Sequence, residues 1–164
     1  MAKSYPVLTV KLVEQLAAVP ITNGMYYPSQ VVLDDGTTFD RVYVVEAAAF
    51  LRSWGENADD EGTGRAFVPV QRIAGIANSP SRLPPKATDK LYASGECAMG
   101  VTIFTVCFRD GSRMTVASGN ATDFVDYPAG QSPNTVVDVL PHPGRDDPAR
   151  KAAPDYAWCL YGHA

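Results

Sequence analysis

Cysteine and histidine are scarce in this sequence, with three cysteines and two histidines among 164 residues. Three scattered cysteines cannot build a disulfide framework, and their odd number leaves at least one thiol free. Zinc normally takes four Cys or His ligands at short spacings, and only Cys159 and His163 form such a close pair. We therefore predict a reducing compartment, no metal site and no cofactor.

Long apolar runs are also absent. Stretches such as Ala47 to Leu51 stop far short of the about 20 residues that span a bilayer. Lys3, Lys11 and Glu14 interrupt the region where a signal peptide would place its apolar segment. These two features predict a cytoplasmic protein that does not enter a membrane.

Basic charge is in deficit, since 14 Lys and Arg stand against 18 Asp and Glu and give a net charge of −4. Duplex-binding proteins usually carry a basic surface, so nucleic acid is not the expected partner. Hydrophobic residues make up 46% of the chain, which excludes a disordered protein. We predict one domain over residues 1–164, with two lobes, 1–80 and 81–164, as the alternative division.

Two β-hairpins are the clearest local signals. β-branched and aromatic residues run up to Asp35-Gly36 and resume after it, and the same pattern surrounds Asp110-Gly111. A three-residue loop ending in the glycine places Val31 opposite Phe39 in the first hairpin. In the second hairpin the same loop places Val106 opposite Met114, so apolar side chains meet across each pair of strands.

The strand from Val101 to Phe108 is apolar on both faces, which predicts a central strand covered on both sides. Short helices are expected around it. The first helix candidate runs from Leu8 to Val19, and a strand from Val7 to Leu12 followed by one helical turn is its alternative. The other candidates are 84–95, 132–141 and a turn beginning at Asn120. Alternating Tyr156, Trp158 and Leu160 predict a final strand that docks on the sheet.

The first half of the chain combines the hairpin, a third strand near AAFLRSWG, an acidic loop, FVPV, a single turn and AGIA. This order over residues 25–79 resembles that of an SH3-like or Sm-like small barrel, which implies a small curled sheet. The segment 47–55 can equally be a helix that Gly55 ends. The predicted fold class is α+β and mainly antiparallel β, with the second hairpin, short helices and C-terminal strand completing one core.

Cys97 is the one candidate nucleophile, because it lies in the glycine-rich turn SGECAMG directly after a predicted helix. A thiol in such a turn becomes reactive when an imidazole or a helix N-terminus lowers its pKa. His142 and His163 are the available bases. A small thiol-dependent enzyme is therefore one alternative function, although the glycine spacing differs from a nucleophile elbow and favours a structural turn.

A local excess of basic charge follows the acidic loop. Its members are Arg72, Arg82, Lys86 and Lys90. If these side chains converge, they form a patch for an anion or for an acidic partner surface. With Tyr26, Tyr27 or Trp54 as stacking platforms, the same patch would suit single-stranded nucleic acid, a second alternative.

No set of residues in the sequence forms a credible catalytic group, which favours a protein that is not an enzyme. The function we predict is a non-catalytic binding or assembly module. Its expected partner is another protein or a second copy of the chain.

Overall fold

The computed structural model describes residues 3–60, 62–95, 100–141 and 150–163. In chain order its elements are helix α1 (Val10–Ala17), strands β1 (Tyr27–Leu33) and β2 (Thr38–Glu46), helix α2 (Ala47–Trp54), strand β3 (Ala66–Phe67), a 3-10 turn (Val70–Arg72), strand β4 (Ile73–Asn78), helix α3 (Pro85–Ser94), strands β5 (Thr102–Phe108) and β6 (Arg113–Ser118), a 3-10 turn (Pro133–Thr135), and strands β7 (Val136–Pro141), β8 (Lys151–Ala152) and β9 (Ala157–Tyr161). The predicted α+β class is confirmed.

The chain forms two compact units, residues 1–79 with 156–164 and residues 80–155. Unit 1 contains a five-stranded sheet of order β3-β9-β2-β1-β4, and unit 2 a four-stranded sheet of order β7-β5-β6-β8. Both sheets are mixed, because β9 runs parallel to β2 and β8 parallel to β6. The described strands close neither sheet into a barrel, so the small-barrel detail is unconfirmed. Whether the two units make one domain stays a prediction.

Both predicted hairpins form with the expected register, Val31 opposite Phe39 and Val106 opposite Met114. The two loops are built alike. Asp35 Oδ1 accepts a hydrogen bond from the Thr37 N–H and Asp110 Oδ1 from the Ser112 N–H, each at 2.9 Å. The following glycine has a positive φ in each loop. Glycine adopts this conformation without strain because it has no Cβ.

Two local predictions needed correction, and one open alternative is decided. The segment 47–55, for which the sequence allowed a strand or a helix, is helix α2, ended by Gly55. Residues 132–141 are a single 3-10 turn followed by β7, because valines after the Ser-Pro start favour an extended chain. The residues after Asn120 form no helix but a backbone bridge between Phe124 and Arg82.

The central strand of unit 2 is β5, which pairs with β6 on one side and β7 on the other. One face is fully buried through Phe104, Val106 and Phe108, as predicted. The other face is only partly covered, since Thr105 and Cys107 are half-buried there. The prediction of a strand dry on both flanks therefore holds for one flank only.

The C-terminal strand β9 docks as predicted, but it belongs to the sheet of unit 1, where it lies between β2 and β3. Its interior position buries Trp158 and Cys159 almost completely. The chain after β9 then meets the N-terminal segment: the Gly162 N–H donates to the Pro6 carbonyl at 2.9 Å. The core of unit 1 thus includes residues from both ends of the chain.

Among the glycines that the structure describes, Gly162 is the one whose neighbours leave no room for a side chain. A Cβ built there would lie 2.5 Å from the Tyr5 carbonyl oxygen, which is backbone. We expect Gly162→Ala to displace the N-terminal segment and to lower the free energy of unfolding by about 1–3 kcal/mol, as overpacking does. Urea denaturation measures this loss.

The matched control is Gly75→Ala in β4. Its Cβ would have the Gln15 side-chain oxygen as its nearest neighbour at 3.9 Å, an ordinary contact. We expect this variant to be as stable as the original or slightly more stable. Equal losses in the two variants would contradict the packing argument.

Candidate functional site

A half-open cavity of about 360 Å³ lies in unit 1, between α1 and the C-terminal end of the chain. Its lining residues are Val7, Leu8, Val13, Leu16, Ala17, Tyr27, Tyr161, Gly162 and His163. Five of the nine have aliphatic side chains. A concave apolar site with a few polar groups at its edge is the usual form of a binding site.

Helix α1 places its side chains so that one face packs and a second face stays open. Thr9 caps the helix through its side-chain oxygen, which accepts from the Leu12 N–H at 3.2 Å. Leu12 and Leu16 then point into the core of unit 1. The helix is therefore anchored by its first turn and by one leucine stripe.

Three valines on and before α1 remain exposed. The exposed fractions are 48% for Val7, 77% for Val10 and 52% for Val13, and Val10 is the most exposed of the large apolar side chains in the described residues. Val7 and Val13 also line the cavity. We call these three valines and the adjoining cavity the α1 surface. Contiguous apolar exposure of this kind marks interaction sites.

The polar groups of the α1 surface belong to residues near the C-terminus and to Glu46 at the end of β2. The His163 Nε2 is 2.8 Å from the Glu46 carboxylate. Burial raises the pKa of the half-buried Tyr161 to about 12, and the nearby Tyr27 and Glu46 add to this. The Tyr161 hydroxyl is therefore a neutral hydrogen-bonding group at physiological pH.

The outer edge of β4 is covered by polar side chains of α1. The Gln15 side-chain oxygen accepts from the Ile76 N–H at 2.9 Å, and Lys11 Nζ donates to the Ala74 carbonyl at 3.2 Å. These bonds occupy backbone groups with which an added strand would pair. Helix α1 thus blocks strand addition at this edge.

The outer edge of β7 is protected by its own sequence. The Phe108 N–H donates to the Ser112 carbonyl across the hairpin. Because hydrogen-bonded and non-hydrogen-bonded pairs alternate along antiparallel strands, the backbone N–H and C=O of Val106 point toward β6. Val139 faces Val106 without bonding to it, so the Val139 N–H points away from β5. That outward Val139 N–H donates to the Asp138 carboxylate at 2.8 Å. Pro141 has no N–H to offer, and Lys90 adds a charge by pairing with Asp138.

The four predicted basic residues fall in different surroundings. Arg72 belongs to unit 1 and pairs with Asp34 and Asp35 of the hairpin loop, at 3.4 and 2.9 Å. Arg82, Lys86 and Lys90 belong to unit 2. There Arg82 is 1% exposed, while Lys86 and Lys90 are at the surface of α3. A shared anion-binding patch of these residues stays a prediction.

The candidate catalytic residues Cys97 and His142 lie outside the described residues, so the thiol-enzyme alternative stays a prediction. The third, His163, is at the α1 surface with Glu46. Among the described residues, no cluster of three or more His, Cys, Asp or Glu could hold a metal ion.

The aromatic residues suggested as stacking platforms do not share one role. Tyr26 is 3% exposed, and its hydroxyl accepts from the Trp54 indole N–H at 2.8 Å. The Arg65 guanidinium lies over the Trp54 ring, 5.1 Å from its centre. Tyr27 lines the cavity. Single-stranded nucleic-acid binding stays a prediction.

Cys159 provides a pH-dependent prediction for unit 1. Burial raises the pKa of its thiol to about 12. A pKa raised by folding gives stability that is complete below the unfolded value of about 8.5 and is lost as the pH rises toward 12. We therefore expect the free energy of unfolding to fall above about pH 9, by up to about 1.4 kcal/mol for each pH unit.

Urea unfolding at several pH values from about 8 to 10.5 measures this slope. Cys159→Ala should make it shallower. Cys107→Ala, which removes the half-buried thiol of unit 2, is the control. An unchanged slope in Cys159→Ala would show that the thiol contributes nothing to alkaline unfolding.

Comparison of the chain with protein-family models, curated proteins and solved structures finds no match. None of the helices in the described ranges has the length and apolar character needed to cross a membrane. The geometry of the chain itself is therefore the basis for a functional conclusion.

Sequence reasoning did not identify the α1 surface. The helix itself was predicted, but Val10 and Val13 were not recognised as exposed. One signal was available: both valines fall outside the Leu12 and Leu16 stripe of the helix. Val7, Tyr161 and Gly162 come together only because the N-terminal and C-terminal segments pair. No local sequence pattern predicts that pairing.

Proposed function

We propose that this chain is a non-catalytic binding module that docks a helical segment of a partner protein on the α1 surface. The observation that carries the proposal is the exposure of Val7, Val10 and Val13 beside a cavity of about 360 Å³. An amphipathic helix placing apolar side chains in such a groove is a common mode of peptide recognition.

The sheet edges support helical rather than extended docking. The long edge strand of unit 1 is covered through Gln15 and Lys11, and that of unit 2 through Asp138 and Pro141. The two remaining edge strands, β3 and β8, have two residues each, too few to hold an added strand by its backbone. The side chains of the α1 surface remain as the docking element.

The small-barrel interpretation of unit 1 is part of the same proposal. Its support is the bulged β1–β2 hairpin and the 3-10 turn that leads into β4, which pairs back on β1. The cytoplasmic location predicted from the sequence is retained with it.

The proposal is tested by titrating the ¹⁵N-labelled chain with a helical peptide of leucine and glutamine, about 14 residues or four turns long. We expect saturable shifts of backbone signals from α1 and from Tyr161. Val10→Lys places a charge where the anchor would pack, so we expect it to weaken binding at least about tenfold, as loss of a hot spot does.

The matched control is Val137→Lys in unit 2, because that valine is also strongly exposed, at 58%. We expect it to leave peptide affinity unchanged. Shifts that map away from the α1 surface, or equal weakening by both variants, would overturn the proposed function.

A further inference from the structure

We infer that the partner segment docked on the α1 surface is basic, with lysine or arginine flanking an apolar helical face. This inference rests on the proposed function and specifies the chemistry of the partner. It is carried by the positions of the charged side chains around the exposed valines.

Helix α1 carries one acidic and one basic side chain, and they lie on different sides. At about 100° per residue, Glu14 projects about 40° from Val10, whereas Lys11 projects about 100° away from it. Lys11 is also directed away from Val10, because its Nζ donates to the Ala74 carbonyl on the β4 side of the helix. The charge beside Val10 and Val13 is therefore that of the exposed Glu14.

A second carboxylate lies beside the cavity. Glu46 ends β2 and contacts His163, which lines the cavity. Its side chain is 31% exposed, so it remains accessible to a partner. Accessible carboxylates on α1 and at the end of β2 thus adjoin the apolar site, an arrangement that complements a helix with basic residues beside its apolar face.

A second copy of the chain fits this surface less well. An isologous contact brings the same patch from both copies together, so one interface would hold Glu14 and Glu46 from each copy. The net charge of −4 adds to this repulsion. A basic partner instead turns the same two carboxylates into attractive contacts.

The experiment compares two peptides of about 14 residues that share one leucine pattern. One carries lysine and the other glutamate at every polar position. Each is titrated into the full chain by calorimetry, with ¹⁵N shifts to locate the site. We expect the lysine peptide to bind at the α1 surface at least about tenfold more tightly than the glutamate peptide.

Glu14→Gln tests the position of the charge, and Glu56→Gln is its matched control. Glu56 is an exposed glutamate of the loop after α2, so both variants remove one negative charge from the chain. We expect Glu14→Gln to weaken the lysine peptide about two- to fivefold, as loss of an exposed ion pair does. Glu56→Gln should change its affinity by less than that.

Other outcomes overturn the inference in distinguishable ways. If both peptides bind the α1 surface equally, protein docking stands and the basic partner is wrong. If neither peptide nor the glutamine peptide binds there, the proposed function fails as well. If Glu14→Gln and Glu56→Gln weaken binding equally, only general attraction to an acidic chain is present. A dimer in sedimentation velocity that Val10→Lys abolishes, without binding of the lysine peptide, would make the occupant a second copy.

Discussion

Replacing Trp158 by alanine is expected to lower the free energy of unfolding of unit 1 by about 3–5 kcal/mol. Trp158 is 2% exposed and lies in the interior strand β9. Its ring stacks on Tyr43 of β2, with ring centres 4.7 Å apart, and meets Phe50 and Trp54 of α2 at 4.8 and 5.2 Å. The substitution would leave a cavity bordered by rings from two different elements.

Loss of the Trp158 ring is also expected to destabilise helix α2. This helix contacts the sheet through Phe50 and Trp54, so removing the Trp158 ring takes away the surface on which both pack. Urea denaturation followed by circular dichroism measures the change. Trp158→Phe keeps an aromatic ring in place and should lose much less stability. A loss below about 1 kcal/mol in Trp158→Ala would contradict this description of the core.

The second large effect is expected in unit 2, where Arg82 and Asp123 are both buried, at 1% and 0% exposed. Their backbone segments are paired: Arg82 forms a bridge with Phe124, and the Leu83 N–H donates to the Asp123 carbonyl at 2.7 Å. The Tyr92 hydroxyl donates to the Asp123 carboxylate. Opposite charges thus lie on neighbouring segments inside one unit.

We infer that the buried Arg82 guanidinium compensates the buried Asp123 carboxylate, and we expect Arg82→Met to destabilise unit 2 by about 3–5 kcal/mol by leaving that carboxylate without a compensating charge. Asp123→Asn should destabilise it for the converse reason. The double variant removes both charges and should be less destabilised than the sum of the two single variants, by about 1 kcal/mol or more.

Thermal and urea unfolding of the four proteins in this cycle give the coupling energy directly. Arg113→Met removes an exposed arginine of β6 in the same unit and serves as the control. We expect it to stay within about 0.5 kcal/mol of the original chain. Strict additivity in the cycle would show that Arg82 and Asp123 do not compensate each other.

Local signals predicted the hairpins correctly because the turn residues act on their own neighbours. Asp35 and Asp110 each bond to the backbone two residues on, and the following glycine adopts the positive φ of the turn. Helix α3 was predictable for a similar reason, with Pro85 at its start and Gly95 at its end. These interactions depend on adjacent residues alone.

Local signals failed where the residues of a segment were compatible with both a helix and a strand. Ser132 caps a turn, as its pattern indicated, but Val136 and Val137 then continue as a strand that pairs with β5. The same ambiguity applied to 47–55, which became α2 because Ala47 and Phe50 bury one face of a helix against unit 1. Strand pairing in the first case and side-chain packing in the second, both with residues distant in sequence, decided the outcome.

The candidate site illustrates the same division. Helix α1 was predicted from its leucine spacing, but exposure of Val10 depends on what packs beside it. Arg82 was grouped with surface cations, since an arginine is rarely buried, and the bridge to Phe124 places it inside unit 2. No property of the residues around Arg82 distinguishes these two outcomes.

The amino-acid sequence by itself determined the hairpin turns, the ends of α3, the register of both hairpins and the α+β class, because each depends on backbone preferences and contacts between neighbours in the chain. Tertiary structure alone decided that β9 lies beside β2, that Arg82 is buried, and that the chain ends and α1 enclose an apolar cavity. These features come from contacts between residues far apart in sequence, whose free energy is gained only when whole elements pack together.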